Sequence, residues 1–424
     1  MANIIFGCST RTFKTIISVS FLSIPLLAAA TNYADDDYLT GNWGGGRDSL
    51  KESGVHFGLT YTAQPAALIS GGDKHGSTYL HNINGEMIAD LDKMFGLTNT
   101  TFTMKFSSRH GDNLSEDNVA PADIYGEYFQ KSQEVYGGQT TKLVNFQLTT
   151  KINDSLTLDY GRLVMNDLYL RSDLYCNFMN NASCGSPKGV FAPYALNAYP
   201  DAAMGLSATL TMSEALDIRA GVFDGGWREQ GTNGLDWDIG NDGISMIAEA
   251  QYFIDRARNG GTPKVIKVGV NHNTGTFSNY KTGNEEDDYT SLYALTDWPL
   301  YRENTTDTQG LGVFASYVYN PDSEITALPN SINTGLVYQG LIDGRDKDKL
   351  GLLITYYEHS KYNTYTLNGN TYERNPESVF ELNYNFKAGN GIEIMPDIQY
   401  VINPNGSRQL DDALIVGLKF NVNL

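Results

Sequence analysis

The feature that most constrains this chain is an alternation of apolar and polar residues with period two, sustained over whole segments. Near the C-terminus Leu414, Val416, Leu418, Phe420, Val422 and Leu424 share one parity, and Lys419, Asn421 and Asn423 take the other. Ile392, Ile394, Ile398 and Tyr400 likewise oppose Glu393, Asp397 and Gln399, and Phe380, Leu382, Tyr384 and Phe386 oppose Glu381, Asn383 and Asn385. Successive strand side chains point to opposite faces, so such segments are strands with one apolar and one polar face. No later stretch is long and apolar enough for a transmembrane helix, which needs roughly 18 residues. A slightly negative mean hydropathy still suits a membrane protein if only alternate residues meet lipid.

The same test along the chain gives sixteen segments, from 55–63 to 411–424, with 124–130 among them. Some joins are tight, such as Asn153-Asp154 and 388–391; others are long, notably 164–202 and 273–309. Short turns on one rim and long loops on the other fit an all-β fold, a transmembrane antiparallel β-barrel of about 16 strands with a short N-terminal periplasmic helix. Sixteen strands would leave an aqueous lumen. A soluble sandwich could also alternate. Aromatics near strand ends favour the membrane: Tyr61, Tyr160, Tyr252, Phe253, Tyr317, Tyr319, Tyr356, Tyr357 and Tyr400 suit interfacial girdles.

The first thirty residues read as a secretory signal peptide. Arg11 and Lys14 precede an apolar run from Ile16 to Leu27, and Ala28-Ala29-Ala30 offers a cleavage site, with Ala34 as the alternative. A segment 31–54 with one short helix then leads into a barrel over 55–424. Without the leader, 28 basic side chains face 49 acidic ones, a net charge of −21, the reverse of a nucleic-acid-binding footprint. The stretch 40–54, TGNWGGGRDSLKESG, is rich in glycine but is no phosphate loop. The acidic segment Tyr33–Tyr38 before it offers no buried strand, and Gly46 is followed by Arg47-Asp48 rather than Lys-Ser/Thr. It reads as a loop entering a helix over 48–53, ended by Gly54.

Three long segments in the same order, YLTGNWGGGRDSLKESGVHFGLTYT near the N-terminus, YPDAAMGLSATLTMSEALDIRAGVFDGG at 199–226 and ESVFELNYNFKAGNGIEIMPDIQYVINPNG at 377–406, resemble the OprB family of carbohydrate-selective porins. The resemblance implies a sixteen-stranded barrel of the bacterial outer membrane that admits sugars by facilitated diffusion, and it favours a monomer over a trimer. A sugar substrate and outer-membrane lipid with lipopolysaccharide are the partners expected. The usual terminal Phe of such barrels is Leu424 here.

Strand parity places Lys105, Arg109, Arg219, Glu249, Glu381 and Gln399 in the lumen, with Glu86, Asp90, Asp217, Lys267, Glu393, Asp397 and Lys419. Acids and bases interleave, which suits neutral polyhydroxyl solutes better than ions of one sign. A general diffusion pore and a small-carboxylate channel with a ladder of Lys105, Arg109, Arg219 and Lys267 are the alternatives. Arg109 and Glu127, the latter expected on the strand 124–130, flank a loop after His110 that could fold toward the constriction. Arg162 falls on the face of Leu156, Leu158 and Tyr160 and is a rim candidate. Cys176 and Cys184 share the loop 164–202, which has no histidine, so in an oxidising envelope they read as a disulfide rather than metal ligands. None of the six histidines sits in a catalytic motif and no Gly-x-Ser-x-Gly occurs, so neither an enzyme nor a cofactor is expected.

Overall fold

The computed structural model describes residues 38–424, apart from 136–139, 193–194, 229–231, 241, 257–261 and 304–307. The signal peptide expected over 1–30 lies outside the described residues. Among them, sixteen antiparallel strands close into one barrel whose first strand, Val55–Gly72, pairs with its last, Asp411–Asn423. A lipid phase offers no water to an unpaired strand edge, so closure of this kind is obligatory. A separate hairpin pairs Tyr365–Leu367 with Asn370–Tyr372.

The count of sixteen agrees with the sequence, but two assignments exchange. Residues 124–130 are not a strand; Ala122–Tyr125 is one helical turn within an inward loop, where Tyr125 and Tyr128 are buried. The supposed loop 273–309 instead contains the strand Glu285–Arg302. Its lumen face carries Tyr289, Tyr293 and Leu295 and its outer face Leu292 and Leu300, so apolar residues stand on both sides and the alternation vanishes. The inner ones are apolar because a loop packs on them: Tyr293 and Leu295 cluster with Met165, Tyr169, Leu170 and Val190.

Outward parity is apolar and exposed, as at Phe380, Leu382, Ile398 and Val416, while the alternate Glu381 and Gln399 are buried. Tyr160, Tyr252, Tyr317, Tyr319, Tyr356 and Tyr400 face outward as girdle residues should. Tyr357 does not. It is wholly buried inside, where its hydroxyl donates to the Ala182 carbonyl and accepts from the Lys188 amide, both at 3.2 Å. The lumen is not simply aqueous either. Two loops enter it, one between the strands Thr100–Gly111 and Thr140–Lys151, the other between Leu156–Leu163 and Ala203–Ser213. Their apolar side chains form several packed clusters with the inner wall.

The glycine-rich stretch has a mechanical role. The helix spans Gly46–Glu52, starting two residues and ending one residue earlier than the sequence suggests, and Gly54 follows it with φ of 93°. A positive φ is what a residue just past a helix end needs, and glycine meets it without strain. Arg47 is sandwiched between the rings of Tyr38 and Trp43, at 3.9 and 4.0 Å. Its guanidinium donates to the carbonyls of Gly41 and Phe57 and to the main-chain oxygen of Leu424. One side chain therefore ties the N-terminal segment to both strands of the closing seam. Replacing Arg47 by Ala should cost about 2 kcal/mol, from lost charged hydrogen bonds and cation–π contacts. The check is the temperature at which the folded band converts to the unfolded one in unboiled gel samples; an unchanged midpoint would refute the clamp.

Candidate functional site

The loop 164–202 decides what the lumen offers. Its outgoing limb runs round the inner wall and is bonded to one strand after another. The carbonyl of Leu168 accepts from Arg219, and the amide of Leu170 donates to Glu249 at 2.9 Å. The carbonyl of Arg171 accepts from Lys267, and Ser172 donates to Asp297. Farther on, Asn177 accepts from Lys349 at 3.0 Å. The amides of Met179 and Asn180 donate to the two oxygens of Glu381 at 2.7 and 2.9 Å, and the Asn180 side chain donates to Gln399 at 3.0 Å. Gln399 also donates to the carbonyl of Ser132, which joins the other inward loop to the same anchor.

Packing follows the same course. Inward glycines leave room for the large side chains of the loop. A Cβ on Gly221 would lie 2.6 Å from the Tyr169 hydroxyl, one on Gly351 2.9 Å from Phe178, and one on Gly417 2.7 Å from the Met179 sulfur. On the return limb Ala182, Ala192 and Ala195 are small where the wall presents Tyr357, Tyr289 and Phe277.

Beside the loop a cavity of about 610 Å³ stays open. It lies between the loop 164–202 and the strands Val55–Gly72, Gly76–Asp90, Thr100–Gly111 and Thr140–Lys151. Its charged lining is balanced: Lys105, Arg109 and Arg171 against Glu86, Glu134 and Asp167. Lys105 spans the space, with its ammonium 3.3 Å from Glu86 on the wall and 3.1 Å from Asp167 on the loop. Arg109 lies over the ring of Tyr199 at 4.8 Å, and the Tyr199 hydroxyl donates to Asn84 at 2.8 Å. The Arg109 Nε is buried and has no hydrogen-bond partner among the described residues. Glu134 pairs with Lys419 and approaches the sulfurs of Cys176 and Cys184 within 4.8 Å. Those sulfurs are joined as a disulfide and offer no thiolate to a metal. Burial, aided by Lys131 and Arg109, pushes the ammonium of the adjacent Lys188 down to about 7. Amides and hydroxyls of Asn82, Asn84, Gln147, Thr62 and Thr103 complete the lining.

Of the residues placed in the lumen by parity, Glu86, Lys105 and Arg109 face this space. Arg219, Glu249, Glu381 and Gln399 point inward but are occupied in holding the loop. Glu127 is a correction: it is exposed on the other inward loop, not on a strand, and does not line the cavity. Arg162 is buried in the wall rather than placed at a rim. The strand Leu156–Leu163 ends early there, and the segment near 233–237 covers the gap, with Asp236 accepting from Arg162 at 3.2 Å and Asn233 accepting from the Leu143 amide at 2.9 Å. Asp167, Arg171 and Tyr199 were missed because they sit in an irregular loop, where no parity applies.

A sequence profile of the carbohydrate-selective porin, OprB family matches residues 74–424. Putative porin QuiX of Acinetobacter baylyi is 25% identical over 436 residues, covering 96% of this chain and 98% of its own. Porin B of Pseudomonas aeruginosa is 25% identical over 453 residues, covering 97% of each. The high-pH structure of Pseudomonas putida OprB superposes with a TM-score of 0.85 at 24% identity, over 92% of this chain and 99% of that one, and so shares the fold.

The anchoring predicts a selective loosening. Glu381→Ala leaves two buried amides without acceptors, costing about 2 kcal/mol locally, or roughly thirtyfold in exchange rate. Hydrogen exchange followed by mass spectrometry should show peptides near 177–182 losing protection while the strands keep theirs. Equal loss throughout the barrel would contradict a local anchor.

Proposed function

The chain belongs to the carbohydrate-selective porin, OprB family, and from that premise we propose that sugars cross the bacterial outer membrane through the cavity between Lys105–Arg109 and the loop 164–202. The observation that carries this reading is the balanced lining: three cations and three anions, interleaved with amides and hydroxyls, in a space of about 610 Å³. A neutral sugar entering must exchange water for other donors and acceptors, and the exchange must stay near even so that the solute also leaves. Ion pairs such as Lys105 with Glu86 and Asp167 offer both kinds of group at once. Arg109, over the Tyr199 ring, adds a fixed positive charge to the same wall. The volume lies in the range of small-molecule sites, roughly 300–1,000 Å³, which suits mono- and small oligosaccharides.

The alternatives weigh less. A small-carboxylate channel needs a ladder of cations, and of the four candidates Arg219 and Lys267 are engaged by loop carbonyls. A general diffusion pore needs no built lining. The channel carries no chemistry of its own on this reading and needs no cofactor. Its partners are the sugar and the surrounding lipid with lipopolysaccharide. One barrel encloses the whole path, so a single copy suffices for transport, and the family resemblance leans to a monomer.

Single-channel recording in planar bilayers tests the proposal. Glucose or a short glucan should reduce the ionic current in a saturable way, and Lys105→Ala or Arg109→Ala should weaken that block roughly tenfold, the equivalent of one charged hydrogen bond. A current indifferent to every sugar offered would sink the assignment.

A further inference from the structure

The disulfide lies at the edge of the cavity and joins the outgoing limb of the loop to its return limb. Cys176 is exposed there and Cys184 half-buried, and both line the open space with Gly185. Between the two cysteines the chain forms a finger whose tip is already held. Glu381 accepts from Met179 and Asn180, and Asn383 donates to the carbonyl of Asn177 at 3.1 Å. The carbonyl of Ala182 accepts from Asn333 at 2.8 Å. On the return limb, wall contacts resume at Lys188, whose amide donates to Tyr357.

Residues 183–187 pack into the lumen, with Ser183, Ser186 and Pro187 buried, but among the described residues they show no hydrogen bond to a wall strand. Ser183 donates to the carbonyl of Tyr175 at 3.3 Å, Lys188 reaches the carbonyl of Cys184 at 3.5 Å, and the disulfide supplies the covalent tie to the outgoing limb. A cross-link closing so short a loop adds modestly to global stability, and less when the enclosed residues are pinned already. Its larger effect is on position. It holds the return limb back from the space that Lys105 and Arg109 face.

We propose that the Cys176–Cys184 disulfide determines the width of the solute path, fixing its loop-side wall and thereby the sugars that bind in passage. This rests on the sugar path proposed above. With the bond cut, the tip stays on the wall while 183–187 move into the cavity, so the path fluctuates and the fit to a sugar is lost.

The test uses the full chain, oxidised and already inserted in a planar bilayer, so that folding is not at issue. Current is recorded in potassium chloride, then with glucose or maltotriose, before and after adding a water-soluble trialkylphosphine. The phosphine attacks one sulfur and water completes the exchange, giving two thiols and the phosphine oxide; alkylation with iodoacetamide confirms the two thiols by mass. Reduction should raise open-channel noise at least twofold and weaken sugar block threefold or more. The C176S/C184S double variant should behave like the reduced protein and ignore the phosphine. Identical noise, conductance and block before and after confirmed reduction would overturn the proposal. Noise that rises on reduction in a channel no sugar blocks would support the wall and count against the sugar path, because ionic current needs no sugar.

Discussion

Everything in this molecule depends on the main-chain ladder closing on itself in lipid. Each strand must find both neighbours, because hydrocarbon cannot bond an exposed amide. The seam between Val55–Gly72 and Asp411–Asn423 is therefore the point of greatest demand, joining segments at opposite ends of the chain. The structure meets it with a register of cross-strand pairs and a clamp at one end. The amide of Leu39 donates to Asn423, that of Leu424 to Leu59, and Arg47 reaches across to Leu424. The glycines before Arg47 let the chain turn tightly enough to bring its side chain to the seam; Gly44 and Gly45 both have positive φ.

Closure creates a second requirement. A barrel of sixteen strands encloses more space than a selective path can use. The loop 164–202 and the other inward loop fill the excess by lying along the inner wall, and a cavity stays open beside Lys105 and Arg109. Polar and apolar contributions divide the work. Buried carboxylates, lysines and arginines meet main-chain groups of the loop, while glycines and alanines make room where side chains would collide. Buried charges of this kind are tolerated because they are hydrogen-bonded, and removing a partner would strand them.

Much of this was legible in the alternation. Parity placed Lys105, Arg109, Arg219, Glu249, Glu381 and Gln399 inside and Phe380, Leu382 and Ile398 outside, because a strand has only two faces. Parity could not say which inward residues meet solute and which meet the loop. That distinction rests on contacts such as Glu381 with Met179, separated by some two hundred positions. It also failed where the loop changed the wall itself, as on Glu285–Arg302, whose inner face is apolar because it is covered. One signal went unread. Gly221, Gly335, Gly351 and Gly417 all fall at inward parity, and each lies under a large side chain of the loop. A glycine on the wet face of a strand has little reason to be there unless something presses against it.

The way the outgoing limb is held has a consequence for how such a channel can diversify. From Leu168 to Asn180 most of the bonds go to the backbone, so the wall grips the limb without regard to which side chains it carries toward the path. Arg171 can be exchanged for other residues without loss of the wall bond that its carbonyl makes. Selectivity is thereby retunable one substitution at a time, on a frame that need not be rebuilt for each new solute.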